Sequence, residues 1–200
     1  MTTPQGRGRY GDYDVLAEID HWDEATRKVV LERLNDVPPI RFFSEEEART
    51  LAPFCDVVTA QDAEPRVPVL NYVDAKMFEG RLDGFQYADM PDDRDVWRLT
   101  AQGLDEAARG HSMDSYAAAP RDVQQMICGA FADGKLDGGV WERMPVAKAW
   151  KVVTRAILMS FYAHPWAWNE IGYGGPAYPR GYAAIGPGGK EHWERNEARK

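Results

Sequence analysis

Apolar residues recur along this chain at three- and four-residue intervals, the spacing that gathers side chains on one face of an α-helix. The clearest stripe is Val146, Ala149, Trp150, Val153, Ile157, Ser160 and Phe161. It predicts the longest helix of the chain, from about Pro145 to Ala163. Pro165 forbids continuation and biases His164 away from helical geometry. Val96, Thr100, Leu104 and Ala107 predict a helix capped by Asp93 and running to about Ala108. Val123, Met126, Ile127, Ala130 and Phe131 predict another, with Pro120 as its first residue and Gly134 as its end.

The first half follows the same logic. Residues 20–34 place acids early and bases late, as the helix dipole prefers, and Asn35 is a plausible stop. Ser44 followed three residues later by Glu47 is a capping box, with Phe43 positioned as a hydrophobic staple. Ala48, Leu51, Cys55 and Val58 continue at helical spacing, and Pro53 predicts a bend or an early end. Residues 59–68 read as a loop and Val69 to Phe78 as a short helix. Strand signals are scarce, because Asp83–Gly84 and Asp137–Gly138 lack flanking β-branched runs. The expected fold is all-α: an irregular helical domain with long loops and a Gly/Pro/aromatic-rich C-terminal segment. The expected organisation is an N-terminal extension with one helix (1–37), a helical domain (38–185) and a polar tail (186–200). The first dozen residues, polar and Gly-rich, are expected to fray.

Composition narrows the function classes. The formal net charge is −8, and no basic stripe counters it, so a duplex-binding face is not expected. No apolar run approaches the roughly 18–20 residues of a membrane span. Cys55 and Cys128, the two cysteines, exclude an all-Cys cluster; they read as buried free thiols, with one bridge open to them in an oxidising compartment. The opening MTTPQGRGRYGDYD has no apolar core and no twin-Arg pair, so the chain is expected to be cytoplasmic as synthesised.

Familiar motifs fail on context. Gly6 to Gly11 has the literal G-x-G-x-x-G spacing, but five polar residues stand where the preceding strand should be. The tail run IGPGGKE has Ala184 where a phosphate loop needs glycine and Glu191 where it needs Ser or Thr. His21, His111, His164 and His192 form no metal-binding spacing.

Residues 161–182, FYAHPWAWNEIGYGGPAYPRGY, differ from the rest. Seven aromatic side chains crowd in with Gly172, Gly174, Gly175 and Gly181. Aromatic surface at this density is costly to leave in water. Three readings compete: the aromatics fold back to cap the helical core, they form a protein-docking surface, or they build a ligand or active site with His164 and Glu170. Arg180 suits a carboxylate partner or an aromatic face.

That same run resembles the near-C-terminal signature of the gluconate 2-dehydrogenase subunit 3 family, the small subunit of bacterial flavoprotein sugar and polyol dehydrogenases. Residues 13–16 (YDVL), 26–34 (TRKVVLERL), 41–61 (RFFSEEEARTLAPFCDVVTAQ), 73–76 (VDAK) and 83–91 (DGFQYADMP) extend the similarity. The resemblance implies a non-catalytic accessory subunit without a cofactor of its own. Its partner would be a large FAD-carrying subunit of the glucose–methanol–choline type, in many systems joined by a cytochrome subunit. The small subunit would support folding, assembly or export of that partner, and co-export would carry it to the periplasm. No catalytic, cofactor-binding or metal residue is assigned, and neither nucleic acid nor direct membrane insertion is expected. The partner interface is placed on His164, Trp166, Trp168, Glu170, Tyr173, Gly174, Gly175, Tyr178, Arg180 and Tyr182. Two departures stand out: the twin-arginine signal common in the family is not seen, and Phe161 and Tyr178 replace its usual Tyr and smaller residue. The rival from another class is a small stand-alone enzyme or sugar-binding module using His164 and Glu170. A chaperone that leaves after assembly is a second.

Overall fold

The computed structural model describes residue 10 and residues 13–82 and 84–196. The Gly6–Gly11 run, apart from Tyr10, and the expected fraying of the first dozen residues lie outside or largely outside that range. The described residues form α-helices and short 3-10 turns, with no strand, so the chain is all-α. Two compact units divide it. One joins the stretch ending at Val37 to residues 61–68 and to everything from Phe161 onward; the other takes 38–60 and 69–160.

The second unit contains α2 (Glu45–Val58), α3 (Val69–Phe78), α4 (Asp93–Gly110), α5 (Arg121–Ala132) and α6 (Val146–Tyr162) up to Ser160, with a 3-10 turn at Gly139–Arg143. The capping box of α2 is formed: Glu47 N–H reaches Ser44 Oγ at 3.2 Å, and Ser44 N–H reaches Glu47 Oε2 at 2.8 Å. α2 continues through Pro53 to Val58, so the expected early end does not occur. One lost backbone bond is offset by burying Leu51, Phe54 and Cys55. α4 starts at Asp93, the residue expected to cap it, because the cap is Asp92, whose carboxylate accepts the Arg94 N–H. Its 18 residues also exceed the 17 of α6, so the stripe from Val146 does not mark the longest helix. Pro120 caps α5 instead of opening it. Gly134, at φ +68°, ends α5 in a Schellman arrangement, with Gly134 N–H on Phe131 O and Lys135 N–H on Ala130 O.

The core of this unit is aromatic. Phe54 packs near Phe131 and Tyr116, and Phe131 lies 4.8 Å from Trp141 between ring centroids. Gly103 makes room for Trp141, since a Cβ there would sit 2.4 Å from its ring. Asp74 is fully buried and accepts three backbone N–H groups, from Arg41, Phe42 and Phe43, at 2.8–2.9 Å. That carboxylate fixes the strap leading into α2. Cys55 and Cys128 are buried free thiols, and burial pushes both thiol pKa values up, that of Cys128 to about 11.

The first unit starts with a 3-10 helix, Val15–His21, followed by α1 (Glu24–Asn35). The expected single helix from residue 20 is therefore shorter at its start. Asp23 accepts the Thr26 N–H at 2.9 Å and sets the new N-terminus, while Asp14 caps the 3-10 helix through Leu16 N–H. α7 (Pro165–Ile171) closes the element order.

Candidate functional site

The aromatic C-terminal segment is organised around α7, a helix the apolar periodicity did not announce. Its start is set by His164, whose backbone is extended (φ −93°, ψ 135°) and whose Nδ1 accepts the Trp166 N–H at 3.2 Å. Pro165 follows at the first helical position, where no N–H is needed. His164 is 2% exposed, and burial lowers its pKa to about 4. The ring is therefore neutral near pH 7, with Nδ1 committed to the cap. Arg33 secures the same corner by donating to Ala163 O at 2.9 Å. A buried imidazole already engaged in this way is poorly placed for proton transfer to a substrate.

Three polar clasps hold the segment to the N-terminal stretch. Asn169, 1% exposed, accepts the Val15 N–H at 2.7 Å and donates to Asp14 at 3.3 Å. Tyr13 donates its hydroxyl to Tyr173 O at 3.3 Å. Arg180 pairs with Glu18 at 2.9 Å, reaches the carbonyls of Gly174 and Pro176, and stacks 4.1 Å over Trp193. Both suggested roles of that arginine, ion pair and ring stack, are thus realised within the chain. Between the clasps, Trp168 joins Tyr13, Val15, Trp22 and Val30 in a small core, and its indole N–H donates to Tyr162 O at 2.6 Å.

Glycines allow this close approach. Gly172 ends α7 in the left-handed region (φ +67°), and a Cβ there would lie 2.4 Å from the Tyr10 ring. Gly174 and Gly175 admit the indoles of Trp193 and Trp22, each within 2.6 Å of the missing Cβ.

The outer edge is different. Tyr178 is 67% exposed, Tyr182 53% and Ile185 89%. Trp166 is half-buried with its ring edge-on to His164 at 4.9 Å. Glu170 is half-buried too; burial raises its pKa to about 7, and its Oε1 meets no donor among the described residues.

Openings of about 570, 130 and 460 Å³ lie on the described surface. None is lined by the ten residues singled out from the sequence. Among the described residues no three His, Cys, Asp or Glu side chains gather as metal ligands, and no helix is long and apolar enough to cross a membrane. Asn169, Glu18, Trp22 and Trp193 organise the segment, yet sequence reasoning missed them. Asn169 and its partner Val15 are 154 positions apart, and no local spacing signals such a pair.

Fold and site together define a small all-helical protein whose aromatic C-terminal segment is clasped from within and open along one edge. The family model for gluconate 2-dehydrogenase subunit 3 matches residues 45–175, well over half of the sequence, and the chain belongs to that family. The family is by its description one subunit of a dehydrogenase, which points to a partner subunit. No curated protein and no solved structure matches the chain.

Proposed function

We propose that this chain is the accessory small subunit of an FAD-dependent dehydrogenase of the glucose–methanol–choline type, acting on a sugar or sugar acid. It carries no cofactor and supports folding, assembly or export of the large flavoprotein, crossing to the periplasm beside it where export occurs. A cytochrome subunit completes the complex where electrons pass to a respiratory chain. The observation that carries this reading is the division of the aromatic segment. Its inner residues are fixed by Asn169, Trp168 and Arg180, while Tyr178 and Tyr182 stay exposed. Solvent-facing tyrosines are typical anchors of protein interfaces.

The test is to tag the full chain, express it in its own host and record the mass and visible spectrum of what co-purifies. A large protein with the absorbance of an oxidised flavin is the expected result. A colourless chain that stays folded and soluble alone would overturn the proposal and redirect attention to ligand screening around Glu170.

A further inference from the structure

A second opening, in the other unit, carries an assignment of its own. We propose that the groove beside Trp97 is a docking pocket for an acidic segment of the flavoprotein partner, one that inserts a single bulky apolar side chain. The proposal rests on the accessory-subunit reading above and adds where, and by what chemistry, the partner is gripped.

Size comes first. The groove encloses about 130 Å³. Small-molecule sites run to roughly 300–1,000 Å³, so this one suits one side chain rather than a sugar or a nucleotide. Its walls are Phe85, Tyr87 and Met90 on the loop before α4, with Trp97 on α4 behind them. Phe85 is 62% exposed, a large apolar ring left in water, and it meets Tyr87 edge-on at 5.0 Å. The loop is not slack: Gln86 donates to Met90 O at 3.3 Å, and Lys148 holds Asp89 at 2.6 Å and lies 5.2 Å from the Tyr87 ring.

Polarity narrows the occupant further. Trp97 is fully buried, and its indole N–H meets no acceptor among the described residues. The rim carries three cations, Lys76, Lys151 and Arg155, against the single carboxylate of Asp93. This concentration stands out in a chain of net charge −8. α6 contributes two of the three, Lys151 and Arg155, and contains no acidic residue. Lys151 is exposed and makes no ion pair with any described residue. Apolar walls and a cationic rim match an acidic segment with one apolar anchor.

The experiment uses the full chain co-expressed with the flavoprotein, comparing wild type with Phe85→Ser, Lys151→Glu and Lys151→Arg over a salt series. All alter exposed side chains, and thermal unfolding checks that each variant folds. The expected result is about tenfold less flavoprotein retained for Phe85→Ser and for Lys151→Glu, with Lys151→Arg near wild type. Retention by wild type should also fall with salt more steeply than retention by Lys151→Glu. If Phe85→Ser lowers the melting temperature, the Lys151 pair decides. Full retention by Lys151→Glu overturns the pocket, and if wild type still captures the flavoprotein, the accessory-subunit reading stands. Wild type that captures no flavoprotein overturns both.

Discussion

The two units hold themselves together by different means. The second is built from long amphipathic helices whose aromatic side chains interlock around Phe54 and Phe131, with a single buried carboxylate, Asp74, tying in the strap before α2. The first clasps its N-terminal stretch to its C-terminal one through individual polar atoms and a missing Cβ: Asn169 on Val15, Arg180 on Glu18, Gly175 against Trp22. A stripe of apolar residues tolerates exchange of one side chain for another of similar volume. A clasp made by one oxygen or one absent methyl does not. The first unit therefore depends on residues that no hydrophobicity count would flag.

The sharpest break should come from Asp74 in the second unit. Asp74→Ala strips the acceptor from three buried or part-buried N–H groups. It should cost about 4 kcal/mol, seen as a lowered urea midpoint in circular dichroism. In the first unit, Gly175→Ala combines a left-handed backbone (φ +79°) with a Cβ 2.6 Å from Trp22. A loss of about 3 kcal/mol is expected. Gly181→Ala is the control: its φ is +75° but nothing lies within 4 Å, so only the backbone cost of about 1 kcal/mol remains.

His164 sharpens the comparison through pH. Its folded pKa, about 4, lies below the ordinary 6.5 because burial disfavours the charged ring. The unfolded chain therefore binds the proton more readily, and stability falls as pH drops from about 6.5 toward 4. The loss should be about 3 kcal/mol, and His164→Asn, which retains a capping oxygen without the charge, should flatten that limb of the pH profile. A loss as small as that of the Gly181→Ala control is expected for Arg180→Lys. Charge is kept toward Glu18, but the fork that also reaches Gly174 O and Pro176 O is lost, at about 1 kcal/mol by thermal unfolding.

Legibility in the sequence follows the same division. The Ser44–Glu47 box was readable because both partners lie within one helical turn, and α3 was readable from its bounds. The early end offered for Pro53 does not occur because its cost is local while the burial of Leu51 and Phe54 that outweighs it is tertiary. α7 was too short for a period to show; its only local signs were His164–Pro165 at one end and Gly172 at the other. The aromatic run itself was visible, and so was the suitability of Arg180 for a carboxylate or a ring. Which carboxylate, and which ring, was not, since Glu18 lies 162 positions away. Sequence alone also gave no way to divide the run into residues turned inward, such as Trp168, and residues turned outward, such as Tyr178.

That division is the centre of the account, and one paired measurement addresses it. Asn169→Ala and the double variant Tyr178→Ser/Tyr182→Ser would be compared side by side for melting temperature and for flavoprotein retained on the tagged chain. The account predicts that Asn169→Ala lowers the melting temperature, because a buried backbone N–H loses its acceptor. The tyrosine variant should lower the melting temperature less than Asn169→Ala and lose most of the flavoprotein. A tyrosine variant that keeps its full share of flavoprotein, or that unfolds as readily as Asn169→Ala, would contradict the account.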